Sequence, residues 1–306
     1  MRWLLIVLLA AACGDDGGTT GDAGGPDAAI DPLVGIGAVE LVSSGYMFTE
    51  GPQWRETEGV LLFSDVPAST IYQYTPGGGA PTIFRMPSGE SNGLAIDATG
   101  AVISAQQNNH MIARDGVELF SIFENNRLNS PNDVIVEPTG PIYFTDPPYG
   151  LPATVTGQPF MGVFRIATDM DGYAVLTAEH RGAMTERPNG IGLSLDSKRL
   201  YVTDTDDGKL WAFPIEAGGA LGTRTMVAMT SGSPDGLAID SAGNIFVATT
   251  GGIDVFAPSG TKWGAIPMPM QPSNCAFGDA DHKTLYITAR TSLYKVRLAN
   301  PGEPRR

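Results

Sequence analysis

Short hydrophobic runs alternate with clusters of Gly, Pro, Asn and Asp along almost the whole chain after residue 36. The runs are 4 to 7 residues long and rich in β-branched and aromatic residues, as in AVISA, PIYFTD and RLYVTD. This pattern is typical of β-strands separated by tight turns. The i, i+3, i+4 spacing of an amphipathic helix is nearly absent. The pattern therefore predicts an all-β protein.

Six segments of the chain begin alike, with a carboxylate or amide residue followed by a short apolar strand. These first residues are Glu50, Asn92, Asn132, Asn189, Asp235 and Asn274. Successive starts are 42, 40, 57, 46 and 39 residues apart, and each unit continues with two or three further strand-like runs. Four strands in a repeat of about 40–45 residues are typical of a propeller blade.

The repeats predict a six-bladed β-propeller over residues 37–300, with four antiparallel strands in each blade. The last unit lacks an obvious fourth strand, and GAVELVSSGYMF (37–48) is expected to supply it and close the ring. Closure would leave no long unpaired edge between the first and last blades. The longest spacing contains YGLPATVTGQPFMG (149–162), an insertion that either lines a pocket or is a passive surface loop.

The N-terminus has the pattern of an export signal. Met1-Arg2 precedes an apolar run to Ala12, too short to span a bilayer, and Cys13 follows it. Residues 1–12 are expected to be a lipoprotein signal peptide with Cys13 lipidated, and the acidic Gly-rich segment 13–36 a disordered linker. This predicts a lipid-anchored protein of the bacterial cell envelope, on the periplasmic face or at the outer membrane; an ordinary secretory signal and a secreted protein are the alternative.

Composition restricts the partners of the chain. Acidic residues number 33 against 19 basic ones, giving a formal charge of −14 without a basic cluster. Nucleic acid is therefore not an expected partner, and contact with the membrane is expected only through the anchor. Besides Cys13 only Cys275 is present, which excludes an intramolecular disulfide within the propeller and a Cys-based zinc site. Nothing in the sequence determines the oligomeric state.

In a propeller, equivalent positions at the start of each innermost strand form a ring around one mouth of the channel. The six residues that open the repeats would thus place two carboxylates and four amides together, a donor set suited to Ca²⁺. The alternative is turn chemistry, because Asn-Gly and Asp-Gly are common turn dipeptides. Glu50 favours the ring, since Glu has no comparable tendency to form turns.

Several segments together resemble one known family. TEGPQW, RLNSPNDVIV with PIYFTDPPYGL, RPNGIGLSLDSKRLYVTD, PDGLAID and NCAFGDADHKTLYITARTSLYKVRL are similar to the SMP-30/gluconolactonase/LRE-like family, which includes the diisopropyl-fluorophosphatase type of phosphotriesterase. The resemblance covers roughly residues 37–297. It implies a six-bladed propeller with a divalent cation at the channel mouth, held by Glu50, Asn132, Asn189 and Asp235. Ca²⁺ is favoured, with Mg²⁺ and Zn²⁺ as alternatives.

The resemblance implies a hydrolase of the gluconolactonase type, which opens a sugar lactone or related cyclic ester with a metal-activated water. Asp235 is the expected catalytic residue, as a general base or as a nucleophile. A phosphotriesterase or aryl-esterase on the same site is one alternative, and a non-catalytic propeller with a structural cation is another. Asn92 and Asn129 are expected substrate contacts. Gln107 is a third, because it stands where family gluconolactonases commonly have a His.

Three aspartates, Asp65, Asp146 and Asp204, end the second strands of their blades in FSD, FTD and VTD. Recurrence in three blades favours a structural role over catalysis, through a turn or a hydrogen bond between blades.

Overall fold

The computed structural model describes residues 31–151 and 157–303, and in these residues every regular element is a β-strand. The expected signal peptide, the lipidated Cys13 and most of the linker lie outside the described residues. No helix in the described ranges is long and apolar enough to span a membrane.

The first three blades are four-stranded antiparallel sheets whose strands follow chain order from the axis outward. Blade 1 consists of β2 (Thr49–Arg55), β3 (Val60–Asp65), β4 (Thr70–Tyr74) and β5 (Thr82–Arg85), following β1 (Glu40–Ser44). Blade 2 consists of β6 (Ser91–Ile96), β7 (Val102–Gln106), β8 (Met111–Arg114) and β9 (Val117–Phe120). A small hairpin follows, β10 (Ile122–Phe123) and β11 (Asn126–Arg127). Blade 3 consists of β12 (Val134–Val136), β13 (Ile142–Asp146), β14 (Met161–Thr168) and β15 (Ala174–Gly182).

The last three blades repeat this order, and the sixth is completed by the N-terminal strand. Blade 4 consists of β16 (Pro188–Leu193), β17 (Arg199–Asp204), β18 (Lys209–Pro214) and β19 (Thr225–Met229). Blade 5 consists of β20 (Pro234–Ile239), β21 (Ile245–Thr249), β22 (Gly252–Phe256) and β23 (Lys262–Ile266). Blade 6 consists of β24 (Asn274–Gly278), β25 (Thr284–Ala289) and β26 (Ser292–Arg297), with β1 as its outermost strand.

The innermost strands contact one another in the cyclic order β2, β6, β12, β16, β20, β24 and back to β2. Together with the pairing of β1 and β26, this confirms the predicted six-bladed propeller and its closure by the N-terminal strand. The core lies between blades, where apolar faces of neighbouring sheets pack together; Phe246 and Phe277 from blades 5 and 6, for example, meet edge to face at 5.3 Å.

The aspartates that end the second strands are structural. The carboxylate of Asp146 accepts hydrogen bonds from the backbone N–H groups of Asn129 and Ser130, both at 2.7 Å. Asp65 accepts in the same way from Met47 and Phe48, and Asp204 from Arg187. Each bond lies within a single blade rather than between blades, and it fixes the loop that leads into the innermost strand of that blade.

Candidate active site at the channel mouth

A cavity of about 350 Å³ lies where the innermost strands begin. Five of the six residues that open the repeats line it, together with residues of the surrounding loops. The lining residues are Phe48, Glu50, Val66, Pro67, Asn92, Gln107, Asn132, Tyr149, Asn189, Thr205 and Asp235. The four residues expected to bind the cation thus face one cavity, along with Asn92 and Gln107. Asn129, the third expected substrate contact, does not line it.

Hydroxyl groups of the second strands connect neighbouring blades beneath the cavity. Each donates a hydrogen bond to the backbone carbonyl of a lining residue in the next blade. The bonds run from Ser64 to Asn92 (2.9 Å), from Thr145 to Asn189 (2.6 Å) and from Thr203 to Asp235 (2.7 Å). Because each hydroxyl is buried and bonded, the backbone beneath the lining residues is held from the adjacent blade.

Glycine follows most of the lining residues that open the repeats, because neighbouring blades approach closely there. Only one of these glycines has the positive φ that is typical of a turn. A Cβ on Gly93 would lie 2.4 Å from the carboxylate of Asp133, and one on Gly190 would lie 2.3 Å from the carbonyl oxygen of Asp235. Gly51 is the one with a positive φ, at 48°. The turn interpretation of these Asn-Gly and Asp-Gly pairs is therefore wrong, because the innermost strands need space at the axis.

Gly51 provides a test of this close approach. A Cβ there would lie 2.1 Å from the backbone oxygen of Asn92, whereas a Cβ on Gly59, also at positive φ, meets nothing within 4 Å. We expect Gly59→Ala to lower the free energy of unfolding by about 1 kcal/mol, through the strained φ alone. Gly51→Ala should cost several times more, on the order of 3 kcal/mol or above, because the backbone must shift as well. Urea unfolding of both variants measures the difference; equal costs would contradict the close contact.

Asp133 occupies the position that is Gly in most repeats, and it is not among the site residues expected from the sequence. Its carboxylate accepts hydrogen bonds from the backbone N–H of Ile191 in blade 4, at 3.2 Å, and from the side chain of Asn274 in blade 6, at 3.4 Å. It is fully buried. These contacts with two other blades place it at the axis, directly beneath the cavity. Alignment of the repeats could have revealed it, as the acidic residue at a glycine position.

The carboxylates of the site repel one another. Burial raises the pKa of Glu50 well above its ordinary value, and the charges of Asp235 and Asp133 raise it further. Burial raises the pKa of Asp235 to about 7, with a further contribution from Asp133. Hydrogen bonds from Gly51 and Asn274 to Glu50, and from Asn189 to Asp235, offset part of this cost.

These raised pKa values predict how the cation-free protein responds to pH. The folded state holds protons on Glu50 and Asp235 at pH values where the unfolded state has lost them, so the free energy of unfolding falls as pH rises from about 4 to about 7. Asp146, whose pKa burial raises to about 7, acts in the same direction. We therefore expect Tm in chelator to be higher at pH 5 than at pH 7, with a smaller difference in Glu50→Gln. An equal difference in both proteins would contradict the repulsion at the ring.

Tyr149 comes from the insertion in blade 3 and brings that loop to the cavity. It lines the cavity together with Thr205 and Asn189, and partial burial raises the pKa of its hydroxyl to about 12. The loop is held by the backbone N–H of Gly150, which donates to the hydroxyl of Ser130 at 2.8 Å. The pocket-lining alternative for the insertion is thus confirmed for Tyr149, while residues 152–156 lie outside the described ranges.

Asn129 lies beside the cavity and supports the loop that enters blade 3. It is buried, and its side-chain amide donates to the backbone carbonyls of Asp146 at 3.1 Å and Phe160 at 2.9 Å. The ring nitrogen Nδ1 of His110 contacts its backbone carbonyl. These bonds give Asn129 a structural function at the base of the insertion, and its expected contact with substrate stays a prediction.

The donor set of the cavity suits a hard cation. Carboxylate and amide oxygens are the ligands that Ca²⁺ prefers. In addition, Oδ1 of Asn92 is buried and has no hydrogen-bond partner within residues 31–151 and 157–303, which leaves an unpaired oxygen acceptor beside the cavity. Within residues 31–151 and 157–303, no three His, Cys, Asp or Glu side chains are grouped to hold a metal. A cation at this ring would therefore depend on amide oxygens as well as on the two carboxylates.

Known proteins resemble the chain over nearly the whole propeller. A gluconolactonase from Zymomonas mobilis is 33% identical over 89% of this chain and 85% of its own length. The structure of a gluconolactonase from Xanthomonas campestris matches with a TM-score of 0.77 and 31% identity, over 85% of this chain and 89% of that one. A calcium-binding protein, regucalcin, from Agrobacterium tumefaciens shares the fold with a TM-score of 0.72 at 19% identity, covering 88% and 96%.

The family model described as the SMP-30/gluconolactonase/LRE-like region matches residues 48–291, which include the four expected cation ligands and all eleven residues that line the cavity. The relatives include gluconolactonases that match most of their own length, which supports a lactonase function. The chain belongs to the SMP-30/gluconolactonase/LRE-like family.

Proposed function

We propose that the chain is a divalent-cation-dependent lactonase that opens a sugar lactone or a related cyclic ester. The observation that carries the proposal is the cavity at the channel mouth, where two carboxylates and three amides from different innermost strands face one space. Gluconolactonases among the relatives support the reaction class.

The cation would be held by Glu50, Asn132, Asn189 and Asp235. Their two negative charges face the cavity, whose lining includes no Lys, Arg or His among the described residues to offset them. A divalent cation would offset the burial of these charges and their repulsion, which together raise the pKa of both carboxylates. Ca²⁺ fits an all-oxygen donor set of carboxylates and amides best, and Mg²⁺ and Zn²⁺ are the alternatives.

Such a cation supplies Lewis acidity, which polarises a lactone carbonyl and makes a water more acidic. The carboxylate of Asp235 would accept a proton from the water that attacks this carbonyl. The ring ester bond would then break, and the leaving alcohol oxygen would take up that proton from Asp235. Asn189 lines the cavity beside Asp235, and its amide nitrogen donates to the hydroxyl of Thr205 at 3.1 Å. The amides of Asn92 and Gln107 lie in the cavity wall, where they can bind polar groups of the substrate.

A panel of substrates tests the reaction class. It contains glucono-δ-lactone, unsubstituted and alkyl-substituted δ-lactones, an aryl acetate and a dialkyl phosphotriester, each measured with Ca²⁺, Mg²⁺ or Zn²⁺ and with chelator. We expect turnover of lactones that depends on an added cation. Faster hydrolysis of the phosphotriester or the aryl acetate would assign the site to that chemistry instead. A bound cation without turnover of any compound would assign the protein to a binding function.

A further inference from the structure

One side of the cavity is apolar. Phe48, Val66 and Pro67, here called the blade 1 wall, line it together. The backbone N–H of Val66 donates to the carbonyl of Phe48 at 3.0 Å, which joins the two loops that carry the wall. The carboxylate of Asp65 accepts a hydrogen bond from the backbone N–H of Phe48 at 3.0 Å. The wall is therefore a fixed surface, held by bonds to the sheet of blade 1.

A second ring borders the cavity on the side of blade 4, which lies across the axis from blade 1 in a six-bladed ring. Tyr149 is 45% exposed and lines the cavity together with Thr205 and Asn189 of blade 4. A ligand over the candidate cation ligands would meet the blade 1 wall on one side and this ring near the other.

The lining contains no basic side chain among residues that the structure describes. Arg290 is close enough to lower the pKa of Asp235, but it is exposed, and its guanidinium is hydrogen-bonded to Gln271 and lies 5.5 Å from the ring centre of Phe48. Phosphate and sulfonate groups are normally recognised by Arg or Lys inside the site. The cavity offers such a group carboxylates, side-chain amides and apolar carbon instead.

From these observations we propose that the substrate is an uncharged lactone whose ring carries an apolar alkyl or aryl substituent, and that this substituent packs against the blade 1 wall. The proposal rests on the lactonase function above and narrows its substrate class. The lactone carbonyl would lie toward the candidate cation ligands, and Asn92 and Gln107 would face the polar edge of the ring.

The experiment compares δ-lactones that carry methyl, propyl or pentyl on the carbon next to the ring oxygen, with glucono-δ-lactone and its 6-phosphate as the polar members. We expect kcat/KM to rise about threefold per added methylene, as burial of each group in an apolar contact predicts. The phosphorylated lactone should be the poorest substrate. Val66→Thr, which keeps the shape but adds a hydroxyl, should lower the rise to about twofold per methylene or less. Val60→Thr is the matched control and should leave this increase unchanged, because Val60 is a valine of blade 1 that is buried like Val66 but does not line the cavity.

Binding of the corresponding lactams, measured by calorimetry, separates this proposal from the lactonase function. If longer alkyl chains tighten lactam binding but the protein opens no lactone, the lactonase function is overturned and the apolar subsite is retained. Turnover of glucono-δ-lactone with no effect of chain length, or equal turnover of the phosphorylated lactone, would overturn the subsite and retain the function. A decrease in Val60→Thr equal to that in Val66→Thr would also overturn the apolar subsite, because the effect would then be nonspecific.

Discussion

Replacing Asp235 by Asn is expected to lower kcat for lactone opening by about 10²–10⁴-fold, because an amide cannot accept the proton of the attacking water. The fold should persist, since the backbone carbonyl at this position keeps its hydrogen bond from Thr203. An amide oxygen can still bind a cation, so calorimetric titration with Ca²⁺ distinguishes the two functions of the residue. Loss of turnover with retained binding indicates a base or nucleophile; loss of both indicates that the ligand function dominates.

Asp240 provides the matched control, since it directly follows β20, whose start carries Asp235. It is buried, and its carboxylate accepts the backbone N–H of Asn244 at 2.8 Å, away from the cavity. Asp240→Asn should lower the free energy of unfolding by about 1–3 kcal/mol and leave kcat unchanged. Wild-type kcat in Asp235→Asn, or equal losses of kcat in the two variants, would contradict the assigned function of Asp235.

Glu50→Gln is expected to weaken Ca²⁺ binding and, in the absence of a cation, to raise Tm. Loss of one of the two carboxylates should weaken Ca²⁺ binding on the order of 10²-fold, because affinity follows the charge of the ligand set. In chelator at pH 7, however, the same variant should have a higher Tm than wild type, since it removes a buried charge beside Asp235 and Asp133. Calorimetry and thermal unfolding measure both effects.

The control for this variant is Glu56→Gln. Glu56 belongs to the hairpin of the same blade, its side chain is 49% exposed, and it pairs with His282 at 3.0 Å. Glu56→Gln should change Ca²⁺ affinity and Tm in chelator only slightly, because an exposed ion pair contributes little to stability. Unaltered Ca²⁺ affinity in Glu50→Gln would show that this carboxylate is not part of a cation site.

The strands and the number of blades were predictable because the alternation of apolar runs and turns repeats six times along the chain. Strands buried between blades must be apolar, and tight turns require Gly, Asn or Asp, so both signals are local in sequence. The hairpin Ile122–Arg127 was not predicted. Its turn residues Glu124 and Asn125 both have positive φ, a backbone conformation that Glu does not indicate in a sequence. The largely apolar segment VELFSIF, residues 117–123, divides between β9 and β10.

The site was predictable where it follows the repeat and not where it depends on contacts across the axis. Glu50, Asn132, Asn189 and Asp235 occupy equivalent positions, so the register of the blades brings them to one cavity. Asp133 was missed because its contacts with Ile191 and Asn274 come from blades that are distant in sequence. Tyr149 belongs to an insertion without a counterpart in other blades, so no periodicity indicates where its ring lies.

The central claim is that the ring at the channel mouth binds one divalent cation on which lactone opening depends. It is tested most directly by removing all cations with chelator and then following glucono-δ-lactone opening while Ca²⁺ is titrated back into the chelator-free protein. We expect no turnover above the uncatalysed rate at the start and full activity near one Ca²⁺ per chain, with no recovery in Asp235→Asn. Full turnover in the cation-free protein would contradict the claim.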